Sequence, residues 1–157
     1  FFLKKKDEAM LPITDKNMTR FNITLNEGVD FVFLALKKMF GGEIFVPKIP
    51  SYKVTDVAKA ISPKAKLKII GIRPGEKLHE EMVSQSDAPN AIEFTNYFVI
   101  IPNSEFNNLD KKKYLKINSK GKNCSNEFSY NSKNNKFYLS ISDLRKLIKN
   151  NSKDFEL

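Results

Sequence analysis

The 157-residue chain has one cysteine (Cys124), one histidine (His79), no tryptophan and six glycines. A lone cysteine excludes an internal disulfide and points to a free thiol in a reducing compartment, so a cytoplasmic location is expected. One Cys and one His supply too few ligands for a zinc site, and no metal is expected. No apolar run approaches the roughly 20 residues that span a bilayer, so no membrane partner is expected. The chain also contains no G-x-G-x-x-G loop and no Tyr-x-x-x-Lys spacing. It thus lacks the glycine-rich turn that lets a backbone approach a dinucleotide's phosphates.

What is present fits a folded protein. Hydrophobic residues make up 41% and aromatic residues 11% of the chain, enough for one ordinary core. The net charge is +9, from 27 Lys and Arg against 18 Asp and Glu. Lysines cluster at 4–6 and 111–116 and then scatter through 120–153. Aromatic rings are not interleaved with them as base-stacking platforms would be. The charge therefore reads as a solvated surface, with no nucleic-acid partner expected. A small basic nucleic-acid- or polyanion-binding protein stays as the alternative function.

Helices and strands alternate through residues 24–83, which argues α/β. Residues 1–8 read as the end of a helix and 9–22 as a loop with a short extended piece. Thr24-x-x-Glu27 is a capping box opening a helix that runs to Phe40, with Val29, Val32, Phe33, Leu36, Met39 and Phe40 at helical spacing. Gly41-Gly42 ends it. Strands are expected over Glu43–Val46, Lys66–Ile72 and Tyr97–Ile101. Thr55 reads as the cap of a helix to Ile61, and Glu76–Val83 as a short helix. Beyond Pro102 the composition turns to Asn, Lys and Ser, with short strands expected around 113–117 and 127–130. Ser140-x-x-Asp143 caps a last helix, after which the terminal residues should fray.

The most informative segment is Gly71-Ile72-Arg73-Pro74-Gly75-Glu76-Lys77-Leu78-His79-Glu80. It sets an Arg and a Glu three residues apart across a Pro-Gly turn, at the end of an apolar strand. Arg73 offers a planar fork that matches phosphate oxygens two at a time. Glu76 accepts hydrogen bonds, which suits a diol such as ribose. A solvated turn with a surface ion pair is the plain alternative. His79 has a near-neutral ordinary pKa but no Ser or Cys at a telling spacing, and reads as a structural or surface residue.

Around this turn the chain resembles the C-terminal part of the inverting UDP-N-acetylglucosamine 4,6-dehydratases, members of the extended short-chain dehydrogenase/reductases. The resemblance includes Pro12-Ile13-Thr14-Asp15, Met18-Thr19-Arg20-Phe21 and Gly41 through Ser51. It continues through Thr55-Asp56-Val57-Ala58-Lys59-Ala60 and Ile69 through Glu80. Order and spacing are kept over roughly residues 10–102, with a weaker echo near Tyr130, Asn135 and Leu139. Asn22 stands where the family usually has a tryptophan.

The resemblance implies the C-terminal substrate-binding part of a Rossmann-superfamily fold, with the N-terminal cofactor half missing. Residues 1–102 would form a nucleotide-sugar-binding α/β region with elements returning to the cofactor domain, and 103–157 a Lys/Asn-rich extension. It implies UDP-GlcNAc as substrate, with Arg73 on the diphosphate, Glu76 on the ribose and Arg20 as a second guanidinium, or as one satisfying nearby carbonyls. Thr19 is a weaker substrate-binding candidate. For the intact enzyme it implies a homo-oligomer using NADP. The product would be a 4-keto-6-deoxy sugar nucleotide for pseudaminic-acid-type glycans. No catalytic residue and no bound cofactor are expected in this chain, which is expected to be inactive alone.

Overall fold

A computed structural model describes residues 1–102 and 111–151. In chain order the strands and helices begin with β1 (Met10–Ile13), β2 (Thr19–Phe21), α1 (Leu25–Lys38), β3 (Ile44–Pro47) and β4 (Ser51–Lys53). Next come α2 (Val54–Ile61), β5 (Lys66–Ile69), β6 (Glu81–Val83), β7 (Ala91–Glu93) and β8 (Tyr97–Ile100). The chain closes with α3 (Lys111–Ile117), β9 (Lys122–Asn123), β10 (Tyr130–Asn131) and α4 (Ile141–Asn150). The class is α/β, as the alternation implies. The fraying expected at the terminus falls on 152–157, outside the described residues.

These elements sort into two compact units. The first unit takes Phe1–Asn22, Pro50–Glu80 and the segment from Ser132 onward. In it β1 and β5 pair in parallel, Leu11 opposite Leu67 and Ile13 opposite Ile69. Strands β2 and β4 pair antiparallel, Arg20 opposite Tyr52. Leu11, Ile13 and Ala58 form one small core with Val54 and Leu67. Ala60, Leu139 and Leu144 form another, where α2 meets α4. Helix α4 starts at the expected box: Ser140 Oγ accepts from the Asp143 N–H, and the Asp143 carboxylate accepts from the Ser140 N–H.

The second unit takes Ile23–Ile49 and Glu81–Asn131. Its antiparallel sheet runs in the order β3-β8-β7-β9. Val99 and Ile92 are fully buried in its core beside Tyr97, Phe94 and Tyr114, and the rings of Phe94 and Tyr97 stack at 4.8 Å. Helix α1 opens at the Thr24/Glu27 box and gives way to Gly41 and Gly42, whose φ angles of 123° and 87° suit glycine.

Several expectations are corrected. The stripe of Val29, Val32, Phe33, Leu36, Met39 and Phe40 is exposed. Phe31 and Leu34 are the α1 residues that pack on the core. The helix is apolar on more than one face, and periodicity alone does not choose between faces. Residues 111–117 form a helix, not a strand, with Tyr114 in the core and lysines outward. Lysine's helix propensity fits that state. Thr55 lies inside α2, whose N-cap is Lys53, without a side-chain cap. Residues 1–8 hold only a turn of 3-10 helix, Leu3–Lys5. Strands β4, β7 and β9 were not expected; they are two or three residues long, below what a periodic pattern reveals.

Gly121 tests the packing of the second unit. A Cβ there would lie 2.7 Å from Ile92 Cγ2 and 2.8 Å from Phe94 Cζ. Both neighbours are buried, so neither yields cheaply. Gly121→Ala is expected to destabilise the protein by about 1–3 kcal/mol. A denaturation midpoint equal to wild type would show that this contact is not tight.

Candidate functional site

The first unit brings the candidate residues together. Ile70 extends the β1–β5 pairing by donating to the Ile13 carbonyl at 2.9 Å. The chain then leaves the sheet and turns at Pro74-Gly75, where Gly75 has φ +79°. Glu76 N–H donates to the Arg73 carbonyl at 3.0 Å. Glu76 Oε2 accepts from the Arg73 N–H at 3.3 Å. The turn is thus closed by main chain and side chain together.

The helix expected over Glu76–Val83 does not form. The Leu78 carbonyl accepts from Thr19 N–H at 3.1 Å and from Arg20 Nη1 at 3.3 Å. Ser132 takes both polar groups of Glu80: its N–H donates to the Glu80 carbonyl at 2.7 Å, and its Oγ accepts from the Glu80 N–H at 2.9 Å. A helix would need those same groups for itself. Tertiary partners claim them, and Glu81–Val83 becomes strand β6.

Arg20 lies at the centre of these contacts. Its Nη1 also donates to the Thr19 carbonyl at 2.7 Å. Its Nη2 lies 3.5 Å from Glu76 Oε1, and its Nε 3.4 Å from Glu80 Oε1. One guanidinium therefore sits between two carboxylates and over two carbonyls. The side chain is only 20% exposed, so these contacts are better shielded from solvent than a surface pair. Arg73, by contrast, is exposed, and its guanidinium has no hydrogen-bond or ion-pair partner among the described residues. Arg73 and Glu76 share the turn through the main-chain N–H of Arg73. Glu76 meets Arg20, not Arg73, with its side-chain charge.

Thr19 is buried, and its Oγ1 lies 2.8 Å from His79 Nδ1 and 2.6 Å from Ser132 Oγ. Tyr138 donates its phenol proton to the Ser132 carbonyl. Burial lowers the His79 pKa below its ordinary value; the cations of Lys133 and Arg20 push it the same way, and Asp15 opposes them. Burial raises the Tyr138 phenol, with the neighbouring Thr19 hydroxyl pulling against it. Sequence reasoning did not find Ser132, Glu80 or Tyr138, and it left His79 as a structural or surface residue. Ser132 stands 113 residues from Thr19, and only the weak echo near Tyr130 and Asn135 marked that stretch at all.

The second unit holds a cavity of about 420 Å³ lined by Leu34, Lys38, Asn96, Tyr97, Ile117 and Lys120. None of the candidate residues is among them. Among the described residues, no three His, Cys, Asp or Glu side chains gather as metal ligands, and no helix is long and apolar enough to cross a membrane.

Residues 1–102 match the family described as "Polysaccharide biosynthesis protein". This chain belongs to that family. Within the polysaccharide biosynthesis proteins it is similar to a UDP-N-acetylglucosamine 4,6-dehydratase (inverting) of Campylobacter jejuni. The two are 48% identical over 94% of this chain and 45% of the relative. A UDP-glucose 4-epimerase of Rickettsia bellii is 36% identical over 64% of this chain and 30% of the relative. Among solved structures, the X-ray structure of Pen from Bacillus thuringiensis superposes with a TM-score of 0.73 at 27% identity, covering 96% of this chain and 44% of that one. The chain thus spans about half or less of the length of the relatives it matches. These likenesses, with the α/β architecture, set this polysaccharide biosynthesis family member among the extended short-chain dehydrogenase/reductases.

If Arg20 braces the 76–80 loop, its removal takes the side-chain donor from the Thr19 carbonyl and the cation from two carboxylates, and leaves the Leu78 carbonyl with the Thr19 N–H alone. Arg20→Leu is expected to cost about 1–3 kcal/mol of stability. Arg20→Lys should restore only part, because an ammonium cannot reproduce the fork. Chemical denaturation measures both; a Leu variant as stable as wild type would rule out the brace.

Proposed function

We propose that this chain is the substrate-binding portion of a sugar-nucleotide 4,6-dehydratase, acting on UDP-GlcNAc with inversion at C5. The observation that carries the proposal is the Arg73–Glu76 turn. It leaves an exposed guanidinium, unpaired among the described residues, on the turn that follows a parallel strand pair, three residues before a carboxylate held by the Arg73 N–H and by Arg20. An exposed guanidinium on a turn closed by hydrogen bonds suits a diphosphate, and a carboxylate on the same turn suits a ribose diol. The 48% identity to a dehydratase of that name supports the substrate assignment.

In this proposal Arg73 binds the diphosphate and Glu76 the ribose. Arg20 and Thr19 stand behind them, Arg20 through Glu76 and Thr19 through the Leu78 carbonyl. Arg20 could reach phosphate only by giving up contacts to Glu76 or Glu80, so its first part is to hold the turn in shape. Anchoring the nucleotide fixes where the sugar lies, and orientation of that kind supplies a large share of an enzyme's rate.

The intact enzyme would use NADP. The residues of this chain do not fit that cofactor, because the sequence has neither the glycine-rich loop nor the Tyr-x-x-x-Lys spacing. Its own contribution is binding and positioning. Exposed apolar side chains on the β1–β5 pair and just beyond it (Met10, Ile69, Ile70 and Ile72) support the idea that these strands return to a larger sheet. A cytoplasmic homo-oligomer making 4-keto-6-deoxy sugar nucleotides for pseudaminic-acid-type glycans completes the proposal. Polyanion binding draws on charge alone, and no observation of the site favours it.

Two measurements test this. In the intact enzyme, Arg73→Ala should weaken UDP binding by roughly 1.5–3 kcal/mol, the scale of a charge-assisted contact; calorimetric titration giving equal affinities would refute Arg73's role. The purified 157-residue chain, supplied with NADP and UDP-GlcNAc, should form no 4-keto product. Turnover by it would show that the chain carries its own catalytic groups.

A further inference from the structure

The buried hydroxyls beside Arg20 can be ordered by counting protons. Ser132 is fully buried. Its Oγ accepts from the Glu80 N–H at 2.9 Å and meets Thr19 Oγ1 at 2.6 Å. Thr19 Oγ1 in turn meets His79 Nδ1 at 2.8 Å. Tyr138 is adjacent: its proton goes to the Ser132 and Lys133 carbonyls, and its phenol oxygen also feels the Thr19 hydroxyl, outside the two short contacts that Thr19 makes to His79 and Ser132.

Two orders are possible. If Thr19 donated to Ser132, the Ser132 proton would have no acceptor, and a buried unpaired donor is costly. If Ser132 donates to Thr19, the Thr19 proton goes to His79 Nδ1 at 2.8 Å, a closer acceptor than the Tyr138 phenol, and every hydroxyl is satisfied. The second order requires Nδ1 to be an acceptor. A neutral imidazole then carries its proton on Nε2.

We propose that His79 is a positioning residue: a one-way chain from Glu80 N–H through Ser132 and Thr19 holds it as the neutral Nε2–H tautomer, and in that form it locks strand β2, and so Arg20, to the loop that carries Glu76. Protonating Nδ1 makes the ring the donor to Thr19 and takes from the Thr19 proton its nearest acceptor. The groups around the ring act in the same sense. Arg20 on β2 and Lys133 on the C-terminal segment disfavour the imidazolium, and Asp15 before β2 partly offsets them. Glu76 and Glu80 face Arg20 and not the ring. Because the folded-state pKa is depressed, the lock is complete above the ordinary value of 6.5 and is lost as pH falls through the lower folded value.

The chain has one histidine, so the ring nitrogens of ¹⁵N-histidine-labelled protein give an unambiguous spectrum. The expected result is a neutral Nε2–H imidazole at pH 7 that titrates below 6.5. Thr19→Val should move the titration up toward that value, and Ser132→Ala should raise the Nδ1–H fraction. An Nδ1–H tautomer in the wild-type spectrum would overturn the proposal, whether or not either variant folds. His79→Asn keeps an acceptor near Nδ1 but cannot protonate. In the intact enzyme it should retain UDP affinity at pH 7 and lose the acid-side weakening of the wild type. Identical pH profiles would refute the positioning role. Only this second arm rests on the proposed nucleotide site. The ring spectrum needs no nucleotide, so failure of the lock and failure of that site are distinguishable.

Discussion

The Leu78 carbonyl is the point on which the site depends. It receives the Thr19 N–H and the Arg20 guanidinium together, which ties strand β2 to the loop after the Pro-Gly turn. Without that attachment, residues 76–83 have the composition of a helix, and Glu76 would open its first turn. With it, the loop bends past Thr19 at Leu78 and His79 and is held again at Glu80 by Ser132. The turn therefore projects from a backbone pinned at two places. That rigidity is what a binding group needs, since freedom lost on binding is subtracted from affinity.

The charges follow from the same attachment. Arg20 is drawn inward by carbonyls and is then within reach of Glu76 and Glu80. A single positive charge between two negative ones leaves this cluster net acidic, although the chain as a whole is at +9. Arg73, one turn away, stays unpaired among the described residues. The two arginines of the site thus differ in what they are free to do: one is spent on the protein, the other faces outward. Overall net charge would not separate them, because it averages over surface lysines that take no part.

The buried hydroxyls give the site a second kind of order. Packing fixes where Thr19, Ser132 and His79 sit, but proton counting fixes which way each donates. A network of this type is sensitive to one proton because each hydroxyl's donation sets that of the next. Among the described residues, the core of the second unit shows no comparable network and is apolar and aromatic. Its α1 face and the isoleucines following β5 in the first unit are exposed apolar surfaces of the described residues.

The amino-acid order by itself determined the α/β class, both capping boxes, the glycine stop after α1, the strand that delivers the turn and the family. Each depends on neighbours within a few residues, or on a motif whose spacing is kept. It singled out Arg73 and Glu76 as types suited to a nucleotide, and the family resemblance added Arg20 and, more weakly, Thr19. Only the tertiary structure decided that Glu76–Val83 is not a helix, that Arg20 faces two carboxylates, that the α1 stripe lies outside and that Ser132 completes the site. Those outcomes turn on which distant group claims a given carbonyl or hydroxyl. Local propensity differs by less than about 1 kcal/mol per residue, and a buried polar group left without its partner costs more than that.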